Sequence, residues 1–230
     1  MIEPQTPYQT GTRAASATAT GLLTQSFGWM FAGLLLTAGV SALVRTNAQL
    51  LGFAQDNFFL LIIGQLVVVF AISLGIKRLG ATAALGLFFV YAASLGLTIG
   101  LIVSAYTDAS VGAAFLSTGA MFGGAALYGA TTKRSLVGIG GFLSMAVFGL
   151  IVAMVVNIFL PSGPLGMIIS LVGVVLFTVL TAFHVQRIQA GDLVAQYGSV
   201  EKGAVIGALL LYLDFVNIFL FLLRLFGSRD

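Results

Sequence analysis

The stretch "LLLYLDFVNIFLFLLRLFG", Leu209–Gly227, is apolar enough to cross a membrane, yet it carries a carboxylate, Asp214, near its middle. The nearest charges on either side are Lys202 and Arg224. An isolated ionised carboxylate facing lipid costs on the order of several kcal/mol. Asp214 is therefore expected to face a bundle interior or a water-filled cavity. At 100° per residue, Gly203, Gly207 and Asp214 fall within about 40° of one another. Asn217 and Arg224 lie on the adjoining flank, and Leu, Phe and Ile fill the opposite side.

The rest of the chain has the same character. Of 230 residues, 59% are hydrophobic and 7% charged, whereas soluble domains carry about 25% charged residues. Charge-free runs cover 14–44, 57–76, 79–107, 109–132 and 135–186. One span needs roughly 20 apolar residues, so 135–186 holds two, divided at Pro161-Ser162-Gly163-Pro164, a turn signal. With 203–223 the total is seven. A β-barrel would show short alternating segments, and these runs are continuous. The fold class expected is an all-α integral membrane protein of seven transmembrane helices. Residues 1–24 read as a mobile polar tail and 25–227 as the membrane domain. The tail has no basic n-region, which argues against a cleaved signal peptide.

Charge placement sets an expected orientation. With the N-terminus cytoplasmic, the inner ends hold Arg13, Lys77, Arg78, Lys133, Arg134, Arg187 and Lys202, against Arg45 in the outer loops, as the positive-inside rule requires. Arg224 falls outside if the last segment spans fully, and inside if it is re-entrant. The chain has no cysteine, hence no disulfide or thiolate chemistry. It has no N-x-S/T sequon, which fits a bacterial inner membrane. The net charge of +3 lies in this placement and does not suggest a nucleic-acid partner. The bilayer is the expected surroundings. Three G-x-x-x-G pairs, Gly96/Gly100, Gly119/Gly123 and Gly203/Gly207, are expected to let helices approach closely within the bundle.

Intramembrane acids usually pair, and the candidate for Asp214 is the single histidine, His184, in "TVLTAFHVQRIQ". Counted from Gly203, Asp214 lies about 16 Å along its helix, whereas His184 is only a few residues from its inner end. Contact requires the last helix to begin deeper, a tilt, or water. Asn217 reads as a helix-packing hydrogen bonder.

"LYLDFVNIFLFLLRLFG" resembles the last-helix signature of the transmembrane Bax-inhibitor-motif family. "ALYGATTKRSL" with "GFLSMAVFGLIVAMVVNIFLPS" resembles that family's fourth-to-fifth span region. The resemblance covers about 25–227. It implies six helices around a central seventh, and a pH-sensitive calcium leak gated by two acids on the last two helices. Asp214 matches the last-helix acid. Where the family has its other aspartate, this chain reads Phe183-His184-Val185-Gln186-Arg187. Two carboxylates that share a proton titrate as a pair between about one and two negative charges; a His–Asp pair moves between zero and minus one. Calcium prefers several oxygen ligands, so Asp214 is expected to be a weak Ca²⁺ ligand and the leak weaker or differently gated. Histidine titrates near neutrality, which preserves a route to pH gating. The family's closed state also uses a basic residue at the inner end of the second helix, here Lys77 or Arg78.

Other classes fare worse. Intramembrane aspartyl proteolysis needs two acids at close range, and Asp214 alone lies within a span. "LPSG" at 160–163 lacks the first glycine of a rhomboid-type loop. Zinc needs more ligands than one His and one Asp. No enzyme activity and no resident cofactor are expected; Ca²⁺ or another cation would be cargo. A coupled transporter would need more midplane charges. The alternative function is contact regulation, since bacterial relatives in this family look like modulators of a membrane-bound quality-control protease.

Overall fold

A computed structural model describes residues 7–228, and side chains from Thr20 onward. The helices are α1 (Pro7–Thr46), α2 (Ala48–Asp56), α3 (Phe58–Gly75), α4 (Ala81–Val103), α5 (Asp108–Thr131), α6 (Gly140–Phe159), α7 (Gly163–Gln189), α8 (Asp192–Tyr197) and α9 (Val200–Phe226). Seven of them, α1, α3, α4, α5, α6, α7 and α9, are long and apolar enough to cross a membrane. The described residues include no strand.

Helix ends follow local chemistry. Asn47, Thr107, Ser162 and Ser199 cap α2, α5, α7 and α9 by accepting backbone N–H bonds in the first turn, which satisfies donors that have no partner within the helix. The Pro161–Pro164 break falls between α6 and α7. Pro164 sits in the first turn of α7, where a missing N–H costs nothing. Two short helices were not foreseen. α2 fills the connection after α1, and α8 lies within the 188–202 connection.

The helix α9 occupies the centre. Its most apolar window is 78% buried, against 50% for α4 and α7 and 11% for α3 and α6. A helix apolar all round belongs inside a bundle. Helices α1, α4, α5 and α7 pack on α9 directly, while α3 leans on α4 and α6 on α7. Gln65 of α3 ties this outer layer inward by donating to Thr98 Oγ1 at 2.8 Å and to the Ser94 carbonyl at 3.0 Å.

The two ends of the bundle differ. Lys202 Nζ donates to the Lys77 carbonyl at 3.2 Å, which joins the start of α9 to the α3–α4 turn. At the other end Thr107 N–H donates to the Ser228 carbonyl at 3.2 Å and Ser228 N–H to Ser110 Oγ at 2.9 Å. The helix α9 therefore runs the full length of the bundle, and Arg224 lies at the end opposite Lys77 and Lys202. The re-entrant alternative does not occur.

Two expectations need correction. The stretch 1–24 expected as a tail is helical from Pro7, and the membrane-capable part starts at Thr20. Leu22 is fully buried and packs on Gly203, so the bundle begins earlier than residue 25. Residues 1–6 lie outside the described residues. The second correction concerns glycine. Gly96 and Gly100 meet the Thr37 and Ser41 carbonyls of α1, and Gly207 meets Ser26. Gly119 and Gly123 meet nothing and point away from the bundle, because spacing alone does not say which way a face points.

The closest glycine approach to the backbone of another helix is outside these pairs. A Cβ at Gly129 would strike the backbone of Ala182 on α7, and a backbone atom cannot swing aside. Gly129→Ala is expected to destabilise the protein by about 1–3 kcal/mol through overpacking. Gly119→Ala is expected to be neutral or slightly stabilising, since alanine is the better helix former. Thermal unfolding of both variants in detergent checks the contrast.

Candidate functional site

Asp214 lies 14 residues after Val200 and 12 before Phe226, near the middle of α9, and is 1% exposed. Its carboxylate oxygen Oδ2 is 2.6 Å from His184 Nδ1. The His184 side chain is 11% exposed and that of Asp214 2%. A buried carboxylate of this kind persists only with a partner, and the imidazole supplies one.

The distance that the sequence left open closes through helix register and side-chain direction. The helices α7 and α9 run antiparallel. The contacts Ile188–Gly207 and Gly173–Phe221 place His184 opposite about residue 210, roughly four residues, or ~6 Å, from Asp214. Each Cβ leans toward the N-terminus of its own helix. On antiparallel helices those leanings are opposed, so His184 leans toward Asp214 and Asp214 toward His184. Counting from Gly203 overstated the gap, because the end of α7 at Gln189 is level with about residue 206 of α9, and the first turns of α9 extend past it to pack beside α8.

A second polar anchor escaped sequence analysis. Tyr212 is fully buried, and its hydroxyl is 2.6 Å from Thr37 Oγ1 on α1. Thr37 donates in turn to the Ala92 carbonyl at 2.8 Å or the Gly33 carbonyl at 2.9 Å, which leaves Tyr212 as donor to Thr37. The Tyr212 ring packs edge-on against Phe88 and Tyr91, at 5.4 and 5.8 Å between centroids. Residues two apart on a helix point about 200° apart. The central helix is thus held from one side through Asp214 and from nearly the opposite side through Tyr212. The signal available was a tyrosine inside a buried helix, whose hydroxyl needs a partner.

The remaining candidates take separate places. Asn217 donates to the Leu213 carbonyl of its own helix at 2.8 Å. Lys77 and Arg78 are exposed in the turn after α3. Among the described residues no hydrogen bond or ion pair joins either side chain to Asp214 or His184. No group of three His, Cys, Asp or Glu side chains comes together among the described residues. The pair offers one carboxylate and one imidazole, too few oxygens for a resident calcium site. It can hold or release a proton, and it can present at most one negative charge to a passing cation.

The α7 turn around His184 is densely committed. Phe183 lies beside the imidazole, 5.6 Å between centroids, and Arg187 sits 5.5 Å over the Phe183 ring. Arg187 also donates to Gln196 Oε1 at 3.1 Å and lies 3.7 Å from Asp192.

The comparisons with known proteins agree with this architecture. The family model described as "Inhibitor of apoptosis-promoting Bax1" matches residues 19–230. Inner membrane protein YbhL of Escherichia coli is 41% identical over 213 residues, covering 90% of this chain and 91% of that protein. An uncharacterised protein of Deinococcus radiodurans is 42% identical, covering 90% of each chain. One from Borreliella burgdorferi is 38% identical, covering 90% of this chain and 91% of its own length.

Removing one member of the pair separates its two contributions. His184→Ala leaves a buried carboxylate without a partner and is expected to cost about 3–5 kcal/mol. Asp214→Asn keeps a hydrogen-bonding group of the same shape and is expected to cost less, about 1 kcal/mol. Chemical or thermal unfolding in detergent, with helix content as the readout, ranks the two.

Proposed function

The chain belongs to the Bax inhibitor family of membrane proteins, and from that premise we propose that it is a pH-sensitive cation leak. Its gate is the His184–Asp214 pair, retuned from the two-acid form that the family resemblance implies. The observation that carries this reading is the 2.6 Å contact between the two side chains at the heart of the bundle. Calcium is the expected cargo and passes without a resident site.

The charge states set the direction of the response. With the imidazole protonated and the carboxylate ionised, the pair is neutral and bound to itself. With the imidazole neutral, the pair carries one negative charge. Raising the pH removes the proton, adds attraction for a cation and removes imidazolium repulsion. Flux is therefore expected to rise with pH.

Supporting context comes from position. The cationic end of the bundle, with Lys77, Arg78, Lys133, Arg134, Arg187 and Lys202, is the cytoplasmic end in this reading, which puts the N-terminus inside. The E. coli relative's name places that protein in the inner membrane, and we assign this chain to the same kind of membrane. We assign it no enzymatic reaction.

Ca²⁺ flux into liposomes holding the purified protein, at pH 6, 7 and 8, tests the proposal. Wild-type flux is expected to increase across that range. Asp214→Asn is expected to lower it about tenfold or more, equivalent to about 1.4 kcal/mol; one carboxylate at ~4 Å from a cation supplies that readily even at an effective dielectric of about 20. His184→Asp is expected to raise flux. A silent wild type, or one flat with pH, sinks the leak reading.

One observation favours a second reading, contact regulation of a membrane protein such as a quality-control protease. The helix α1 begins at Pro7, well before its membrane-capable part at Thr20, which gives a helical extension at the end of the bundle. Deleting residues 1–19 discriminates. A leak keeps both its liposome flux and its cellular phenotype, whereas a contact regulator loses the phenotype and conducts nothing.

A further inference from the structure

The loop between α5 and α6 carries Lys133 and Arg134, and neither gating nor packing uses their side chains. Among the described residues neither side chain has a hydrogen bond or an ion pair. They line a cavity of about 220 Å³ together with Ser135, Val137, Arg187 and Asp192. Three cations face one carboxylate there, and that carboxylate is already drawn toward Arg187 at 3.7 Å. The cavity is left with an excess of two positive charges.

The cradle is held in shape from beneath. Gln186 on α7 accepts a hydrogen bond from Leu136 N–H at 2.7 Å and donates to the Arg134 carbonyl at 2.9 Å. One side-chain amide thus clasps the loop backbone on both sides of Ser135. The two cations are presented by a fixed loop, so less ordering is needed when an anion arrives.

The position indicates which anion. The cavity lies where α5 ends at Thr131 and α7 at Gln189, the rim of the membrane-spanning region. Val137 lines it and is 60% exposed, and Phe142, early on α6, is 71% exposed. A cationic cavity with exposed Val137 in its lining, a few residues before the exposed start of α6, matches a phosphate joined to hydrocarbon. Basic pockets between transmembrane helices at this depth hold anionic headgroups.

We infer that the Lys133–Arg134 cradle is a binding site for the phosphate headgroup of an anionic phospholipid. Lys133 and Arg134 engage the phosphate, and the lipid's chains run along the exposed start of α6.

The test uses full-length protein in detergent and native mass spectrometry, with phosphatidylglycerol and phosphatidylcholine of matched chains. The wild type is expected to retain phosphatidylglycerol about tenfold better than phosphatidylcholine, the scale set by two cations near a charged headgroup. Lys133→Gln with Arg134→Gln is expected to abolish that preference. Lys77→Gln with Arg78→Gln removes the same charge at the same end and is expected to leave it within about twofold. Equal loss in both double variants would mean bulk charge only and overturns the site. So does a wild type without preference. Displacement of the lipid by excess inorganic phosphate, with the phosphate itself retained, would make this a free-anion site and overturns the lipid assignment. If the Lys133/Arg134 variant does not fold, wild-type retention against rising sodium chloride decides. A fall supports the cradle, and salt-independent retention overturns it.

Discussion

The hydrogen bond between His184 Nδ1 and Asp214 Oδ2 joins the two most deeply committed helices of the bundle, and much else follows from having to keep it out of lipid. A carboxylate in hydrocarbon is tolerable only when it is partnered and shielded. Partnering comes from α7. Shielding requires that α9 be surrounded, so α9 is buried over 78% of its most apolar window. Surrounding it requires close approaches. That explains why small residues cluster where α1 meets α4 at Gly96 and Gly100, and where α5 meets α7 at Gly129. The outer helices α3 and α6 complete the enclosure from a second layer and stay largely exposed to the membrane.

A central helix gripped on one side only could roll. The Tyr212–Thr37 bond answers this from nearly the opposite side and reaches the Ala92 carbonyl of α4 through the same hydroxyl. The two anchors differ in kind. Tyr212 and Thr37 are neutral, so their bond is indifferent to a proton near neutral pH. The His184–Asp214 bond joins two ionisable side chains. Together the two bonds fix the rotation of α9 about its own axis.

Most of this was legible in the residues, and the failures have identifiable causes. Long apolar runs located seven spans because a span must exclude charge over roughly 20 residues. The Pro161–Pro164 turn divided the longest run where α6 gives way to α7. The helices α2 and α8 went unread because nine and six residues of mixed composition leave no periodic signature. Gly119 and Gly123 misled because their spacing is identical to that of pairs that do pack. His184 was legible as the candidate partner of Asp214, but whether the two meet was not. Their contact depends on antiparallel register and on the lean of two Cβ atoms, and neither is written in the spacing. Tyr212 and Thr37 are 175 residues apart, and no local pattern links them.

The last turns of α7 constrain how this part of the bundle could move. Within five residues they make commitments to four other elements. Phe183 packs on Gly140 of α6, and His184 holds α9. Gln186 clasps the 133–136 loop, and Arg187 reaches α8 through Gln196 and Asp192. A rigid displacement of α7 would break all of these together, at a cost that adds across at least three hydrogen bonds of about 1 kcal/mol each. Rotation of the imidazole alone breaks one. The change that this packing accommodates at least cost is therefore local to the His184 side chain. The rest of α7 is held in place by its contacts with α6, α8 and the 133–136 loop.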